Sequence, residues 1–237
     1  MRTVRLLVLW GVLLTGCLRS VVAADNFPHL VGWWKFDETS GTCAADSSKG
    51  GHNGVLEGDL TFDKQSVPGR IGKAIQLDGV RNCIRIPGSK GVTGTQARTL
   101  AVWIKTPATT GEVVSWGLDD HGKMWTLGFI RKHMGVTPKG GYLYMKDTVS
   151  DDTWHHVVAA VLEASLPNLH DNARLYRDGE PAVIDDIGLL DLWPIETGDK
   201  LDVTIGRRFK GVFDDLRIYD RALSEDEVKA LFKSGNQ

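Results

Sequence analysis

Histidines, acidic pairs and tryptophans are the side chains of this sequence that could do chemistry, and their spacing decides which chemistry is open to them. His155 and His156 are adjacent, so an extended strand sends them to opposite faces and they cannot share a metal as an i, i+2 pair could. His52, His121, His133 and His170 fall in expected loops without ligand spacing. The acidic run Glu225-Asp226-Glu227 opens an expected helix, where negative charge favours the N-terminal dipole, and Asp151-Asp152 and Asp185-Asp186 read as solvated turns. No Gly-x-Ser-x-Gly elbow, phosphate loop or metalloprotease signature occurs. Aromatic faces stack on sugar rings, so Trp33, Trp103, Trp116 and Trp125 could line a carbohydrate site if their side of a sheet is open. The competing reading of each is a buried core tryptophan.

The elements that must position these residues are strands. Runs with alternating or β-branched character recur at 30–36, 74–77, 83–86, 99–105, 112–116, 125–130, 142–145, 154–162, 173–177, 201–205 and 212–219. Turn residues separate them, and Asp178-Gly179 is a two-residue hairpin signal. Without helical crossovers the strands must pair antiparallel, which predicts an all-β, two-sheet sandwich. Only the C-terminus reads as a helix: Ser224 and Glu227 form a capping box, Val228, Leu231 and Phe232 share a face, and Gly235 can end it. The segment 163–172 contains Pro167 and reads as a surface loop. Within 30–36, Leu30, Gly32, Trp34 and Phe36 share one face, opposite Val31, Trp33 and Lys35. Within 99–105, Leu100, Val102 and Ile104 form an apolar face and leave Trp103 on the other.

The N-terminus reads as a signal-peptide pattern: a basic start with Arg2 and Arg5, then an apolar run from Leu6 to Leu14. The run is too short to span a bilayer, and no transmembrane segment is expected. Two processing readings stand side by side. Val22-Ala23-Ala24 suits an ordinary signal peptidase, giving a signal over 1–24 and one domain over 25–237, whereas Leu14-Thr15-Gly16-Cys17 resembles a lipobox that would lipidate Cys17. A chain starting at Asp25 carries 25 Lys and Arg against 30 Asp and Glu, a formal charge of −5. With no basic stripe, nucleic acid and acidic membrane surfaces are excluded as expected partners. Cys43 and Cys83 are the cysteines left after export, and a disulfide between them is the simplest expectation.

Several blocks in order resemble one family: Val31-Gly-Trp-Trp-Lys-Phe-Asp-Glu-Thr-Ser-Gly, Ala45-Asp-Ser-Ser-Lys-Gly-Gly-His-Asn-Gly and Gly69-Arg-Ile-Gly-Lys-Ala-Ile-Gln-Leu-Asp-Gly. Thr99-Leu-Ala-Val-Trp-Ile-Lys, Thr153-Trp-His-His-Val, Leu175-Tyr-Arg-Asp-Gly, Ile205-Gly-Arg and Phe213-Asp-Asp-Leu-Arg-Ile-Tyr-Asp-Arg-Ala-Leu-Ser complete the set. Together they are similar to the laminin G-like jelly-roll domains of bacterial exported proteins, in the concanavalin A-like lectin and glucanase superfamily. The resemblance implies a jelly-roll sandwich and a structural calcium, whose hard oxygen ligands would come from Asp37, Asp46 and Asp214, with Asp215 as a substitute. The resemblance is specific for fold and not for ligand; with no catalytic motif found, the expected role is a non-catalytic binding module for a glycan or a cell-envelope protein, and the alternatives are a carbohydrate-active enzyme or a structural, protein-interaction module of the cell envelope. Glucanases of the superfamily carry an alternating Glu-x-Asp-x-(x)-Glu strand, which this chain lacks, so the enzymatic alternative would draw its acids from loops.

Overall fold

The computed structural model describes residues 28–188 and 193–235. The expected signal over 1–24, with both processing readings and lipidation at Cys17, lies outside the described residues. In chain order the elements are β1 Leu30–Trp34, β2 Cys43–Ala44, β3 Gly54–Glu57, α1 Phe62–Gln65, β4 Ser66–Pro68, β5 Lys73–Asp78, β6 Cys83–Ile86, β7 Arg98–Lys105, β8 Glu112–Gly117 and β9 Met124–Ile130. They continue with β10 His133–Thr137, β11 Leu143–Met145, β12 Trp154–Val161, α2 Leu169–Asn172, β13 Ala173–Arg177, β14 Glu180–Pro181, β15 Ile184–Ile187, β16 Leu201–Ile205, β17 Lys210–Tyr219 and α3 Glu225–Ser234.

One sheet runs β14-β13-β12-β7-β17-β5-β4, with β1 also beside β17, and the other runs β15-β11-β10-β9-β8-β16-β6-β3-β2. Neighbouring strands are antiparallel, and the two-sheet jelly-roll sandwich with a short C-terminal helix is the observed fold. Alternation places the core between the sheets. In β9, Trp125 and Leu127 point inward while Met124, Thr126 and Gly128 point out; in β7, Leu100, Val102 and Ile104 point inward. The Asp178-Gly179 turn joins β13 to β14 with both residues at positive φ (54° and 84°), the backbone that a two-residue hairpin requires.

Each expected run contains a strand, but β2, β3, β4, β10, β14 and β15 were not anticipated. They are short or, like Ile184-Asp-Asp-Ile187, polar edge strands that carry little apolar alternation. Two single-turn helices, α1 and α2, also occur; α2 lies inside the expected loop, where the Asn168 side chain accepts a hydrogen bond from the Asp171 backbone N–H. In β1 the expected sharing of one face by Leu30 and Trp34 fails. A bulge between Leu30 and Gly32 shifts the parity, so that Leu30 packs outside with the helix while Val31 and Trp34 join the core.

The Cys43–Cys83 disulfide is not formed: the Cys83 thiol is free. Strand β3 separates the two residues, with Cys43 opposite Val55 and Cys83 opposite Glu57. Two strand spacings of about 4.8 Å each put the Cα atoms beyond the ~7 Å that a disulfide spans. Cys83 instead donates to the Glu57 carboxylate (3.7 Å), and burial pushes its thiol pKa up.

Candidate functional site

The two outward faces of the sandwich differ. On the eight-stranded sheet, α3 lies over β7, β12 and β17, and Val228 and Leu231 pack with Leu30, Ala101, Val158, Ala160, Tyr176, Tyr219 and Leu223 in a second apolar cluster. The capping box that begins this helix is complete: Ser224 accepts from the Glu227 N–H, and Glu227 accepts from the Ser224 N–H (2.8 Å). Among the described residues no helix covers the nine-stranded sheet in this way, and its outward side chains line a trough.

Register builds the floor of that trough. Thr137, Thr126, Ser115, Thr204 and Arg85 lie directly opposite one another across β10, β9, β8, β16 and β6, so four hydroxyls and a guanidinium form one row perpendicular to the strands. At about 4.8 Å per strand the row is roughly 19 Å long. The adjacent row holds Tyr144, Gly135, Gly128 and Glu112, and its glycines leave the floor low. Two concavities open along the floor, of about 430 Å³ and 330 Å³, and Arg207 lines both.

Charged side chains form the walls. In the larger concavity Lys139 pairs with Asp119 (2.7 Å), and Glu112 accepts from the Ser115 hydroxyl (2.7 Å) and faces Arg207 (3.7 Å). In the smaller one Asp202 accepts from Lys90 (2.8 Å) and Arg85 (3.4 Å). Hydrogen bonds from these lysines hold the Asp119 and Asp202 carboxyls below the usual range. Aromatic rings close the β10–β11 end. His133 stacks on Tyr144 (5.0 Å between centroids) and Tyr144 on Tyr142 (5.6 Å), and both tyrosine hydroxyls donate to Asp186. Beyond Gly140, the His121 ring packs against Trp193 (5.4 Å), which is 43% exposed.

None of the four tryptophans expected to stack on sugar lies in this trough. Trp33, Trp103, Trp116 and Trp125 are 9%, 1%, 0% and 0% exposed. Trp116 and Trp125 face the inter-sheet core, where Trp116 donates to the Val92 carbonyl (3.0 Å). Trp103 lies under the terminal helix against Phe232 (5.5 Å) and His156 (5.1 Å). The Trp33 ring is held between the Lys35 ammonium (4.2 Å) and the Arg217 guanidinium (4.3 Å), so both faces are taken. The aromatic candidate that was missed is Trp193, in a loop outside every strand run; its Pro194 neighbour was the available signal that it lies off the sheet.

The expected metal ligands divide. Strand β17 pairs with β5 through Phe213 and with β1 from Leu216 onward, so Asp214 and Asp215 sit where it changes partner. There the register of β17 shifts against β7, and Asp215 takes a positive φ of 50°. Asp214 accepts from the Ile71 N–H (2.8 Å) and Asp37 from the Lys73 N–H (2.8 Å), so both carboxylates meet the turn that enters β5. Burial pushes the Asp214 carboxyl up to about 7 against its backbone donors, with the Asp215 and Asp37 charges adding to the rise. A like-charged buried group of this kind fits a cation neighbour. Asp46 does not join: it accepts from the Trp33, Ser48 and His52 N–H groups (3.0, 2.8 and 2.8 Å) and organises its own loop. Asp215 is engaged by Arg217 (3.0 Å) and the Trp33 indole N–H. Among the described residues no cluster of three or more metal-ligating side chains exists.

His155 and His156 point to opposite faces as expected. His155 Nδ1 lies 2.8 Å from Asp178, its Nε2 lies 3.0 Å from Asp151 and 3.1 Å from the Thr153 hydroxyl, and the Asp178 bond raises its pKa. His156 is buried beneath the terminal helix, which lowers its pKa to about 4.

No curated protein sequence matches the chain. Among solved structures it is similar to domain 4 of AbnA, a GH43 extracellular arabinanase from Geobacillus stearothermophilus, determined in complex with arabinotriose: TM-score 0.62, 20% identity, covering 85% of this chain and 97% of that one. It is also similar to the binding domain of Paraclostridial Mosquitocidal Protein 1 (TM-score 0.60, 18% identity, 87% of this chain and 52% of that one). The binding domain of botulinum neurotoxin DC, solved with rat synaptotagmin II, matches with TM-score 0.59 and 13% identity over 88% of this chain and 52% of that one. The chain thus spans about half the length of the two toxin domains, and these likenesses show the fold. Residues 78–229 match the Laminin_G_3 family, and the chain therefore belongs to this family of the concanavalin A-like lectin/glucanases superfamily.

Proposed function

We propose that the chain is an exported, non-catalytic binding module whose uncovered trough receives an extended glycan. The carrying observation is the in-register row in which Thr137, Thr126 and Thr204 line the concavities while the buried Ser115 holds Glu112 by a hydrogen bond, bordered by Glu112, Lys139 and Arg207. Sugar hydroxyls need donors and acceptors at short intervals along a low floor, and a row of roughly 19 Å matches about four sugar units. Trp193 and the Tyr142–Tyr144–His133 stack supply apolar ring faces at the rim.

Glycoside hydrolysis would need one carboxyl with a raised pKa to act as acid. The trough carboxyls with a perturbed pKa, Asp119 and Asp202, are shifted the other way, which supports binding over turnover. The natural occupant of the β1/β5/β17 junction, on this reading, is a structural calcium held by Asp37 and Asp214, with the remaining oxygens from turn carbonyls and water. The cation would lock the partner change of β17 and take no part in contacting sugar. A glycan-array screen, with calcium and then chelator, tests the whole reading. Binding to defined oligosaccharides that Thr126→Ala and Trp193→Ala weaken supports the trough; a blank array under both conditions sinks it and moves the role to a protein partner.

A further inference from the structure

The smaller concavity carries a charge signature opposite to that of the chain. Four cationic side chains, Arg85, Lys90, Lys200 and Arg207, line it against the single carboxylate of Asp202, in a protein with a formal charge of −2. Glu57 (2.7 Å) and Glu112 (3.7 Å) hold Arg85 and Arg207 from the flanks, but no carboxylate among the described residues pairs with Lys200. The cations therefore outnumber the neighbouring acids by one, and the surplus sits where the hydroxyl row ends at Arg85.

We propose that this end of the trough selects acidic glycans, seating the carboxylate of a uronate residue between Arg85, Lys200 and Arg207. The inference rests on the trough as the glycan site and adds the class of glycan. A guanidinium beside an ammonium suits a carboxylate, the arginine through paired N–H donors and the lysine as a point charge. The interspersed acids set the limit of charge density. Asp202, Glu57 and Glu112 accept from the hydroxyls of a singly charged sugar, but they repel a densely sulfated chain. A polyuronate meets both demands, and the larger concavity, with Lys139 and Arg207 against Glu112 and Asp119, carries no surplus and suits the uncharged part of each sugar.

Calorimetric titration of the purified chain with polygalacturonate oligomers, their carboxyl-reduced counterparts and heparin oligosaccharides tests this. The acidic oligomer should bind at least tenfold more tightly than its reduced form at low salt, with the preference shrinking as salt rises. In Lys90→Gln/Lys200→Gln, with an unchanged melting temperature, the preference should fall to within about twofold. Equal affinity for native and reduced oligomers would overturn the acidic selectivity while leaving the glycan trough standing, as would a preference that survives in the double variant. Tighter binding of heparin overturns the uronate assignment, and no binding of any of the three overturns the acidic selectivity, while the trough itself stands or falls on the glycan array.

Discussion

The two outward faces of this sandwich use similar residues to opposite ends. On the eight-stranded sheet, aromatic rings and charges are turned on one another: Trp33 lies between Lys35 and Arg217, Arg217 pairs with Asp215, and Trp103 stacks with Phe232 under the helix. On the nine-stranded sheet, Arg85, Arg207, Lys139 and the Tyr142–Tyr144 stack border concavities that the described residues leave uncovered. Residue type alone therefore does not mark a binding face. What separates the two faces is access: a ring or charge can meet a ligand only where the fold leaves it within reach of solvent.

That contrast is broken most severely by opening the covered face. Val228 is fully buried in the cluster beneath α3. Val228→Asp places an unpaired carboxylate there and should cost about 4 kcal/mol, read as a fall in the urea midpoint. Trp103 should become solvent-accessible, giving a red-shifted fluorescence. A variant with wild-type stability and emission would mean that the helix is a dispensable ornament rather than the seal of this face.

Asp215→Ala attacks the same face without touching the helix. It leaves the buried Arg217 guanidinium without its carboxylate and the Trp33 indole N–H without its acceptor. Stability should fall by about 3 kcal/mol, and the paired change Asp215→Ala/Arg217→Met should recover part of that loss because the uncompensated charge is gone. A double variant less stable than the single would show that Arg217 is held by something other than this pair.

The β1/β5/β17 junction lies between the two regimes, since Asp214 is buried like the covered face yet forms no ion pair among the described residues. Its folded pKa, raised to about 7, lies above the unfolded value near 3.8, so the fold binds the extra proton. The associated stability is complete below the unfolded value and disappears as pH rises through 7. In chelator, melting should therefore be easier at pH 7.5 than at pH 5, by up to about 3 kcal/mol. The raised His155 contributes in the same direction and the lowered His156 in the opposite one, so the informative quantity is the difference between wild type and Asp214→Asn. Calcium at pH 7.5 should restore the wild type and leave Asp214→Asn unmoved. An equal response from both proteins would dissociate the cation from Asp214.

How far these regions were legible in the sequence follows from what each depends on. Alternation carries the long strands, and the Ser224–Glu227 spacing carries the helix, because both are local. The Asp178-Gly179 turn is legible for the same reason. The bulge at Gly32 is a relation to Tyr219 and Ile218 far along the chain, so it reversed the parity of Leu30 unseen. Cys43 and Cys83 could be counted but not placed, since the intervening strand β3 is short and carries Gly54. The site was the least legible part. Thr137, Thr126, Ser115 and Thr204 are ordinary residues until strand order and register set them in a row, whereas the conspicuous tryptophans are conspicuous because cores use them.

The smallest effect on stability is expected on the open face, and there it is the discriminating one. Thr126 and Arg207 line the larger concavity, and the only ion pair of Arg207 among the described residues is the 3.7 Å contact with Glu112 at the surface. Exposed pairs of that kind contribute little, so Thr126→Ala and Arg207→Ala should each change stability by less than about 0.5 kcal/mol. Their effect should appear in recognition: affinity for whichever oligosaccharide the array identifies should fall by about tenfold or more, because sugar hydroxyls then meet a floor with donors missing. Measured side by side with Asp215→Ala, these variants separate the two faces as a stability side and a binding side. If the trough variants bind normally while Asp215→Ala loses binding at temperatures where it is still folded, the assignment is inverted, and the ligand belongs on the face that the helix covers.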